Sequence, residues 1–382
     1  MPTARRSMNF HANLLLVFLY VAWRFVAPLP ISFEKRIFIG AGLFLISKYH
    51  LVLLIAYGTM FSPELPFALV FVAGWAFCAF VLLALLTLLA DLISVAHRAM
   101  RIFGSKPMFT WRIRAGIAIL SITMGGWGVV QAVQVPNINH FELVVEDWPV
   151  ELDGFHLVQL TDLHISRLFQ APWVREVVNR TNTLDPDLIV ITGDLIDGTT
   201  SARRVDIEPL AGLSARDGVI AIPGNHEYYF DSSLWVTEFE RLGMRMLLNE
   251  HVVVGQGRER IVLAGVTDEA APAYGFEGPN LTAALSEAPT GVPKILLKHR
   301  PENAEASAAA GVDVQLSGHT HGGMIRGFDL IAAYANQGFV SGRYRVDDMT
   351  LYVSNGTGLW NGFPIRLGVP AEITSIRLRT KS

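Results

Sequence analysis

The stretch Leu188-Ile189-Val190-Ile191-Thr192-Gly193-Asp194-Leu195-Ile196-Asp197-Gly198 joins a short apolar run to a turn that carries two aspartates. An unbroken run of branched aliphatic residues, with no polar alternation, is typical of a strand that is buried on both faces. Glycine at 193 lets the backbone turn sharply and approach its neighbours closely. The stretch therefore predicts a buried strand whose carboxyl end presents carboxylates.

The same pattern recurs on both sides of this stretch. Four more apolar runs end in polar residues, and they lie at 155–160, 219–222, 295–297 and 312–316. The polar residues that follow them are Asp162 and His164, then Asn225, His226 and Glu227, then His299, and finally His319 and His321. In layered α/β folds, the loops at the carboxyl ends of strands gather at one edge and form the site. We therefore expect these side chains to converge, although they are spread over about 160 residues.

Helical spacing appears between the strands. Residues 171–182 place Val174, Val177 and Val178 on one side, and a second helical pattern follows Asp231. Alternating strands and helices predict a layered α/β fold for this part of the chain.

The composition of residues 136–382 differs from that of residues 1–135. Of the 382 residues, 51% are hydrophobic and 17% are charged. This composition excludes a disordered chain and is more apolar than that of an ordinary soluble protein. Residues 1–135 hold 11 Lys/Arg and 3 Asp/Glu, whereas the rest hold 20 and 31. The acidic second part argues against nonspecific nucleic-acid binding. The single cysteine, Cys78, excludes an intrachain disulfide and a multi-cysteine metal site.

The first part predicts three or four membrane spans. Residues 67–90 carry no charge and are long enough to cross a bilayer as a helix. Further candidates lie at 13–27 and 115–135. The apolar residues 37–61 are interrupted by Lys48, Tyr49 and His50. They form either one span with a polar centre or two short segments around a polar turn, and we favour the turn.

The short loop after the 67–90 span is the most basic one, and it predicts the orientation. Its basic residues are Arg98, Arg101, Lys106, Arg112 and Arg114. This loop is expected in the cytoplasm, which places the large acidic part on the outer side of a bacterial cytoplasmic membrane. We read the first span as an uncleaved anchor. The predicted domains are a transmembrane region at 1–135, a linker at 136–150 and a catalytic domain at 151–382.

The residue types at the strand ends suit divalent cations. Carboxylate and imidazole ligands without thiolates favour manganese, iron or zinc. Two such ions held about 3.5–4 Å apart need a bridging anionic ligand, which an aspartate in a tight Gly-Asp turn can supply. The positive charge that remains on such a pair favours an anionic phosphate ester as substrate.

Taken in order, these elements resemble the calcineurin-like metallophosphoesterase superfamily over about residues 150–378. The motifs are Asp162-x-His164, Gly193-Asp194-x-x-Asp197, Gly224-Asn225-His226-Glu227, the lone His299, and Gly318-His319-x-His321. The tail Tyr352-Val353-Ser354-Asn355-Gly356-Thr357-Gly358, with Arg366, is similar to the bacterial subgroup of membrane-attached or exported phosphoesterases.

This resemblance implies a layered β-sandwich with flanking helices and a ligand set for two metals. It implies one metal bound by Asp162, His164, Asp194 and His321, and another bound by Asp194, Asn225, His299 and His319. Asp194 would bridge them, and His226 would protonate the leaving group or stabilise charge on the phosphoryl oxygens. Glu227 is expected to orient His226, and Asp197 to hold a metal-ligating histidine or its loop.

The sequence therefore predicts a membrane-anchored, dinuclear-metal phosphoesterase. It is expected to hydrolyse a phosphodiester or a pyrophosphate by metal-hydroxide attack, with lipid-linked esters among the candidate substrates and manganese as the expected metal. The alternative is a small transporter or sensor in which the phosphoesterase-like domain is regulatory, and only Lys48, His50 and Asp91 favour it.

Overall fold

The computed structural model describes residues 2–100, 109–146, 148–256 and 259–381. The chain divides into two compact units. One is helical and consists of Met1–Gln131 with Asn361–Ile365, and the other consists of Ala132–Trp360 with Arg366–Ser382. Arg101 and Lys106 of the predicted basic loop lie outside the described residues.

The described residues of the helical unit form five α-helices. They are α1 (Pro2–Val21, continued by a π-helical turn at Ala22–Val26), α2 (Phe33–Ser47), α3 (Tyr49–Tyr57), α4 (Phe67–Met100) and α5 (Trp111–Ala132). Among the described residues, three helical stretches are long and apolar enough to cross a membrane: Asn9–Val26, α4 and α5. The pair α2 and α3, bent by 53°, would make a fourth span if it crosses as one.

Lys48 and His50, the two polar residues of the predicted turn, both have protein partners. The helix breaks at Lys48, where the sequence predicts a turn, and the Lys48 ammonium donates to the carbonyl of His11 at 3.3 Å. His50 differs from the prediction, because it lies in the first turn of α3 and is fully buried. Its Nε2 lies 2.9 Å from the carbonyl oxygen of Gly362, a residue of the same unit.

Where the structure describes it, the second unit contains two six-stranded sheets. In spatial order the first holds β1 (Asn137–Val145), β12 (Glu372–Thr380), β2 (His156–Leu160), β3 (Leu188–Thr192), β4 (Val219–Ile222) and β5 (Arg245–Met246). The second holds β10 (Gly342–Val346), β11 (Met349–Val353), β9 (Val314–Ser317), β8 (Lys294–Leu297), β7 (Glu259–Gly265) and β6 (Glu250–Gln256). Strands β2, β3 and β4 run parallel to one another, as do β7, β8 and β9.

One apolar cluster joins the two sheets. It includes Leu157 and Val190 of the first sheet and Leu263 and Leu297 of the second, all of them at most 1% exposed. Burying an aliphatic side chain of this size contributes roughly 1.5–3 kcal/mol. The helices around the sheets are α6 (Ala171–Asn182), α7 (Thr200–Ile207), α8 (Asn225–Tyr229), α9 (Ser232–Arg241), α10 (Leu281–Ala284), α11 (Ala304–Ala309) and α12 (Asp329–Ala335). The predicted fold class, a layered sandwich with flanking helices, is confirmed.

The region predicted as a linker at 136–150 is different in the structure. Residues 137–145 form β1, which pairs with β12 in parallel over nine residues. Leu143 and Val145 are buried in the core cluster, and Phe141 packs against it. These apolar side chains of β1 thus recur at every second residue, which is typical of a half-buried strand. A search for continuous apolar runs overlooks such a strand.

Candidate metal centre

The five predicted strand ends meet at one place in the second unit. Asp162 and His164 follow β2, Asp194 and Asp197 follow β3, and Asn225 begins α8 directly after β4. In the second sheet, His299 follows β8, and His319 and His321 follow β9. All of these side chains except those of His319 and His321 are buried, and those two are partly exposed.

The backbone of this centre is unusual. Five of the predicted metal ligands have positive φ angles, namely Asp162 (52°), His164 (44°), Asp194 (53°), His319 (69°) and His321 (50°). The left-handed region costs a residue with a Cβ roughly 1–2 kcal/mol. Such strain concentrates at functional sites, where the surrounding structure holds it in place.

Two glycines let the loops approach one another. A Cβ at position 224 would lie 2.3 Å from Oδ1 of Asp194, and a Cβ at position 318 would lie 2.3 Å from Oδ2 of Asp162. Any side chain at either position would displace a carboxylate.

The first cluster consists of Asp162, His164 and His321, whose ligand atoms all lie within 4.8 Å of one another. Nε2 of His164 lies 3.3 Å from Nε2 of His321, and the latter lies 3.6 Å from Oδ1 of Asp162. Nδ1 of His164 faces the carboxylate of Asp197 at 3.2 Å. That contact places a proton on Nδ1 and leaves the lone pair of Nε2 for the cluster.

The second cluster consists of Asp194, His299 and His319. Nε2 of His299 lies 3.3 Å from Oδ2 of Asp194 and 3.2 Å from Nδ1 of His319. Nδ1 of His299 lies 2.7 Å from the carbonyl oxygen of Thr192. Because a carbonyl can only accept, Nδ1 carries the proton and Nε2 is the atom available to a cation.

Asp194 lies between the two clusters. Its Oδ2 is 3.8 Å from Nε2 of His164 in the first cluster and 3.3 Å from Nε2 of His299 in the second. Its Oδ1 accepts from the backbone N–H of His226 at 2.8 Å. One carboxylate thus contacts imidazole nitrogens on both sides.

Asn225 offers an acceptor without a protein partner. Its Nδ2 donates to the hydroxyl of Tyr229 at 3.2 Å, while its Oδ1 is buried and has no hydrogen-bond partner within the described part of the chain. A buried unsatisfied oxygen is costly unless something absent from the protein itself satisfies it. A cation fits that requirement.

His226 and its neighbours differ from the expected arrangement. Nδ1 of His226 lies 2.5 Å from Oδ1 of Asp197, so Asp197 orients this ring as well as that of His164. The expectation that Glu227 orients His226 is wrong. The carboxylate of Glu227 instead accepts from four backbone N–H groups, those of Asp194, Leu195, Ile196 and Gly224.

Electrostatics show that this centre attracts positive charge. Burial lowers the pKa of His299, but Asp194 outweighs burial and raises it to about 10. Burial likewise opposes the effect of Asp194 and Asp197 on His226, whose pKa rises to about 9. Burial, together with His299 and His164 respectively, holds the pKa values of His319 and His321 well below the ordinary histidine value. The centre therefore combines carboxylates that attract a cation with neutral imidazoles that can bind one, and the residues fit a pair of divalent metals.

Arg366 has a structural role that its motif alone does not reveal. Its guanidinium is 2% exposed and donates to the carbonyl oxygens of Asn355 at 2.7 Å and Gly358 at 2.8 Å. The intervening Gly356 packs closely on the centre, since a Cβ there would lie 3.1 Å from Nδ1 of His321. Only the tail motif around residues 352–358 hints at this support in the sequence.

Comparisons with known proteins show which family this chain resembles. Residues 155–323 match the family model described as calcineurin-like phosphoesterase. A protein from Danio rerio named "Transmembrane protein with metallophosphoesterase domain" is 35% identical over 270 residues, which cover 68% of this chain and 61% of the relative. The solved structure of a dimetal phosphatase from Danio rerio aligns with 14% identity and a TM-score of 0.37, over 54% of this chain and 88% of that one.

A Bos taurus protein with the same printed name as the first relative is 37% identical over 300 residues, which cover 75% of this chain and 67% of the relative. Because this similarity extends across two thirds of the bovine protein and the family model spans the metal motifs, the chain belongs to the calcineurin-like phosphoesterase family.

Proposed function

We propose that this protein is a membrane-anchored, dinuclear-metal phosphoesterase that hydrolyses a phosphodiester or a pyrophosphate. The position of Asp194 carries the proposal, because its carboxylate contacts imidazole nitrogens of two separate His/Asp clusters. A bridging carboxylate between two groups of nitrogen and oxygen ligands is what a two-metal hydrolytic centre requires.

The proposed ligands divide between two cations. Asp162, His164 and His321 would hold one ion, and Asn225, His299 and His319 the other, with Asp194 shared by both. When bound, the cations would polarise the phosphoryl oxygens and acidify a water molecule. Oxygen and nitrogen ligands without thiolate favour manganese, and iron or zinc would also suit them.

His226 is the proposed proton donor. Asp197 holds its Nδ1, so Nε2 is the atom that would face a substrate, and it lies 3.9 Å from Oδ2 of Asp194. In the metal-free centre, Asp194 and Asp197 outweigh burial and raise the pKa of His226 to about 9. A protonated ring held by Asp197 could deliver a proton to the departing oxygen.

The proposed substrate is a phosphate ester in or near a bilayer. Three helical stretches of the described chain are long enough to span one, and two relatives carry "transmembrane" in their names. A tethered active site meets lipid or lipid-linked esters more often than soluble ones. Arg98 lies in the last turn of α4, and Arg112 and Arg114 lie in the first turn of α5. Positive charge at these two helix ends favours the cytoplasmic side for them and thus an outer catalytic domain. A reporter fused after residue 382 that is active only in the cytoplasm would contradict this orientation.

Purified full-length protein in lipid nanodiscs provides the test. The protein is stripped of metal, reloaded with manganese, iron or zinc, and assayed with bis(p-nitrophenyl) phosphate. We expect metal-dependent hydrolysis, with about two ions bound per chain. Asp194→Ala should lose both activity and stoichiometric metal, and His226→Ala should lose activity while it retains metal.

Asp348→Ala removes a fully exposed carboxylate and is the matched control. Hydrolysis that survives in the Asp194→Ala protein would contradict the two-metal centre. Hydrolysis that survives in the His226→Ala protein would contradict only the assignment of the proton donor.

A further inference from the structure

An apolar helix projects next to the metal centre. Helix α12 follows the turn that carries His321 and contains no buried residue. Leu330 is 75% exposed, Ile331 66% and Tyr334 94%. These three side chains, at positions i, i+1 and i+4, share one face of the helix, and we call them the α12 patch.

The base of this projection is firmly attached to the centre. The turn residue Gly323 lies so close to α12 that a Cβ on it would be 2.7 Å from Cα of Asp329, the first residue of the helix. On the other side, the hydroxyl of Thr320 donates to the carbonyl oxygen of Val340. Thr320 is flanked by His319 and His321, so the segment that presents the α12 patch begins and ends at the metal-binding loop.

The residue types in and next to α12 indicate which kind of partner binds the α12 patch. Three adjacent large apolar side chains at high exposure mark an interaction surface, because burying them is worth roughly 25 cal/mol per Å². The helix carries one charge, Asp329, whose carboxylate accepts from the N–H of Gly327. Arg326 is exposed just before the helix, where it can meet an anionic headgroup. Aliphatic residues beside a tyrosine and an arginine are typical of segments that lie in a membrane interface.

The candidate membrane spans of the same chain would keep a bilayer close to the α12 patch. Three of its helical stretches meet the length and hydropathy of membrane spans, so in the proposed membrane-anchored protein a lipid surface would be tethered to the second unit. Tethering raises the effective concentration of the surface and makes a small apolar contact sufficient for binding.

We infer that the α12 patch inserts into a phospholipid surface and directs the adjacent metal centre to phosphate esters in lipid headgroups. This inference rests on the proposed function and narrows its substrate class. Insertion places the His319–His321 turn at headgroup level, where an ester can enter the centre while its acyl chains stay in the bilayer.

The contact is tested without catalysis. The chain has one cysteine, Cys78, so Tyr334→Cys in a Cys78→Ser background allows labelling at a single site with an environment-sensitive fluorophore. In nanodiscs that contain doxyl-labelled phospholipid, we expect strong quenching at position 334. The same label at Val205→Cys, a highly exposed apolar position on α7, should not be quenched.

Equal quenching at both positions, or none at position 334, would overturn the inference. Energy transfer between labels at 334 on two copies, without lipid quenching, would also overturn it, because a second copy would then cover the α12 patch.

Activity provides a second, separable test. Wild-type protein, Leu330→Ser/Ile331→Ser and the control Val205→Ser/Leu234→Ser are assayed on bis(p-nitrophenyl) phosphate and on phospholipid vesicles. The ratio of vesicle to soluble activity should fall about tenfold in the α12 variant and stay constant in the control, since the lipid contact scales with buried apolar area. If wild-type protein cleaves neither substrate, the proposed function fails. If it cleaves the soluble ester but the ratio does not change in the α12 variant, only the inference about the patch fails.

Discussion

Oδ1 of Asp197 lies 2.5 Å from Nδ1 of His226. The same oxygen lies 3.2 Å from Nδ1 of His164, and the carboxylate is fully buried. A single carboxylate oxygen therefore sets the orientation of a proposed metal ligand and of the proposed proton donor. Shared support of this kind couples metal binding to proton delivery.

We predict that Asp197→Asn lowers hydrolysis of bis(p-nitrophenyl) phosphate about 10- to 100-fold. The amide retains one acceptor but removes the charge that holds two imidazoles. The pKa of His226 should fall toward its ordinary value, because Asp197 is one of the groups that raise it. The alkaline limb of the pH–rate profile should therefore move to lower pH. Asp348→Asn is the control, and an unmoved alkaline limb in the Asp197→Asn protein would separate Asp197 from proton delivery.

Glu227 is predicted to hold two loops together. Its carboxylate accepts from N–H groups that follow β3 and from that of Gly224 after β4. Burial raises its pKa to about 7, while the four donors favour its ionised form. Leaving buried N–H groups without an acceptor costs about 1–3 kcal/mol each.

Glu227→Ala should therefore lower the free energy of unfolding by at least about 3 kcal/mol, and Glu227→Gln by less. Hydrogen exchange read by mass spectrometry should show lost protection in peptides that contain residues 193–197 and 224–227. Peptides from β9 should keep their protection, as should the whole domain in Glu305→Ala, which changes an exposed glutamate of α11. Unchanged protection at 193–197 would contradict this role.

Metal affinity is predicted to depend on pH through His299. Its pKa of about 10 in the metal-free protein means that a proton occupies the ring at neutral pH, and a cation must displace it. Affinity for Mn²⁺ should rise by up to about tenfold per pH unit between pH 7 and 9. His319 and His321 contribute no further proton there, because their pKa values are lowered.

Calorimetric titration in two buffers of different ionisation enthalpy measures the protons released per cation. About one proton per chain should be released at pH 8, which is one for every two cations, because only one of the two cations would bind His299. The same raised pKa stabilises the metal-free fold below about pH 6.5, and this contribution is lost as the pH rises through about 10. Binding without proton release would show that His299 is neutral before the metal arrives.

Local patterns predicted the parts of the fold that depend on local sequence. The run at 219–222 and the helix at 171–182 match β4 and α6 residue for residue, because continuous apolar runs and helical periodicity are properties of a single segment. Strand β1 was missed because its core-facing apolar residues alternate with exposed ones and form no long continuous run, and because its partner β12 lies more than 200 residues away in the chain.

The metal centre, like the fold, could be predicted from the sequence only in part. Residue types at strand ends were enough to name the side chains that converge, since the topology of parallel strands brings those ends together. The exchange of roles between Asp197 and Glu227 depends on the direction each side chain takes across neighbouring loops, which no spacing encodes. Likewise, no pattern in the sequence predicts that Leu330 and Ile331 are exposed, which the structure shows.

Arg24 and Asp91 form an ion pair in the helical unit, in which Nε and Nη2 of Arg24 donate to the two carboxylate oxygens of Asp91. The hydroxyl of Tyr20 also donates to the Asp91 carboxylate, at 2.9 Å. Ionisable residues in membrane spans either pair with one another or mark a transport path, so this pair tests the alternative that the bundle is a transporter.

If the pair is structural, Asp91→Asn and Arg24→Gln should each lower the unfolding temperature of the full chain in nanodiscs, because each leaves one charge unpaired. The double variant should recover much of that loss, since coupled partners are not additive. Hydrolysis per metal-loaded chain should stay constant in all three proteins. Equal and additive losses, with an ion flux in reconstituted vesicles that the single variants abolish, would instead favour a transport role for Asp91.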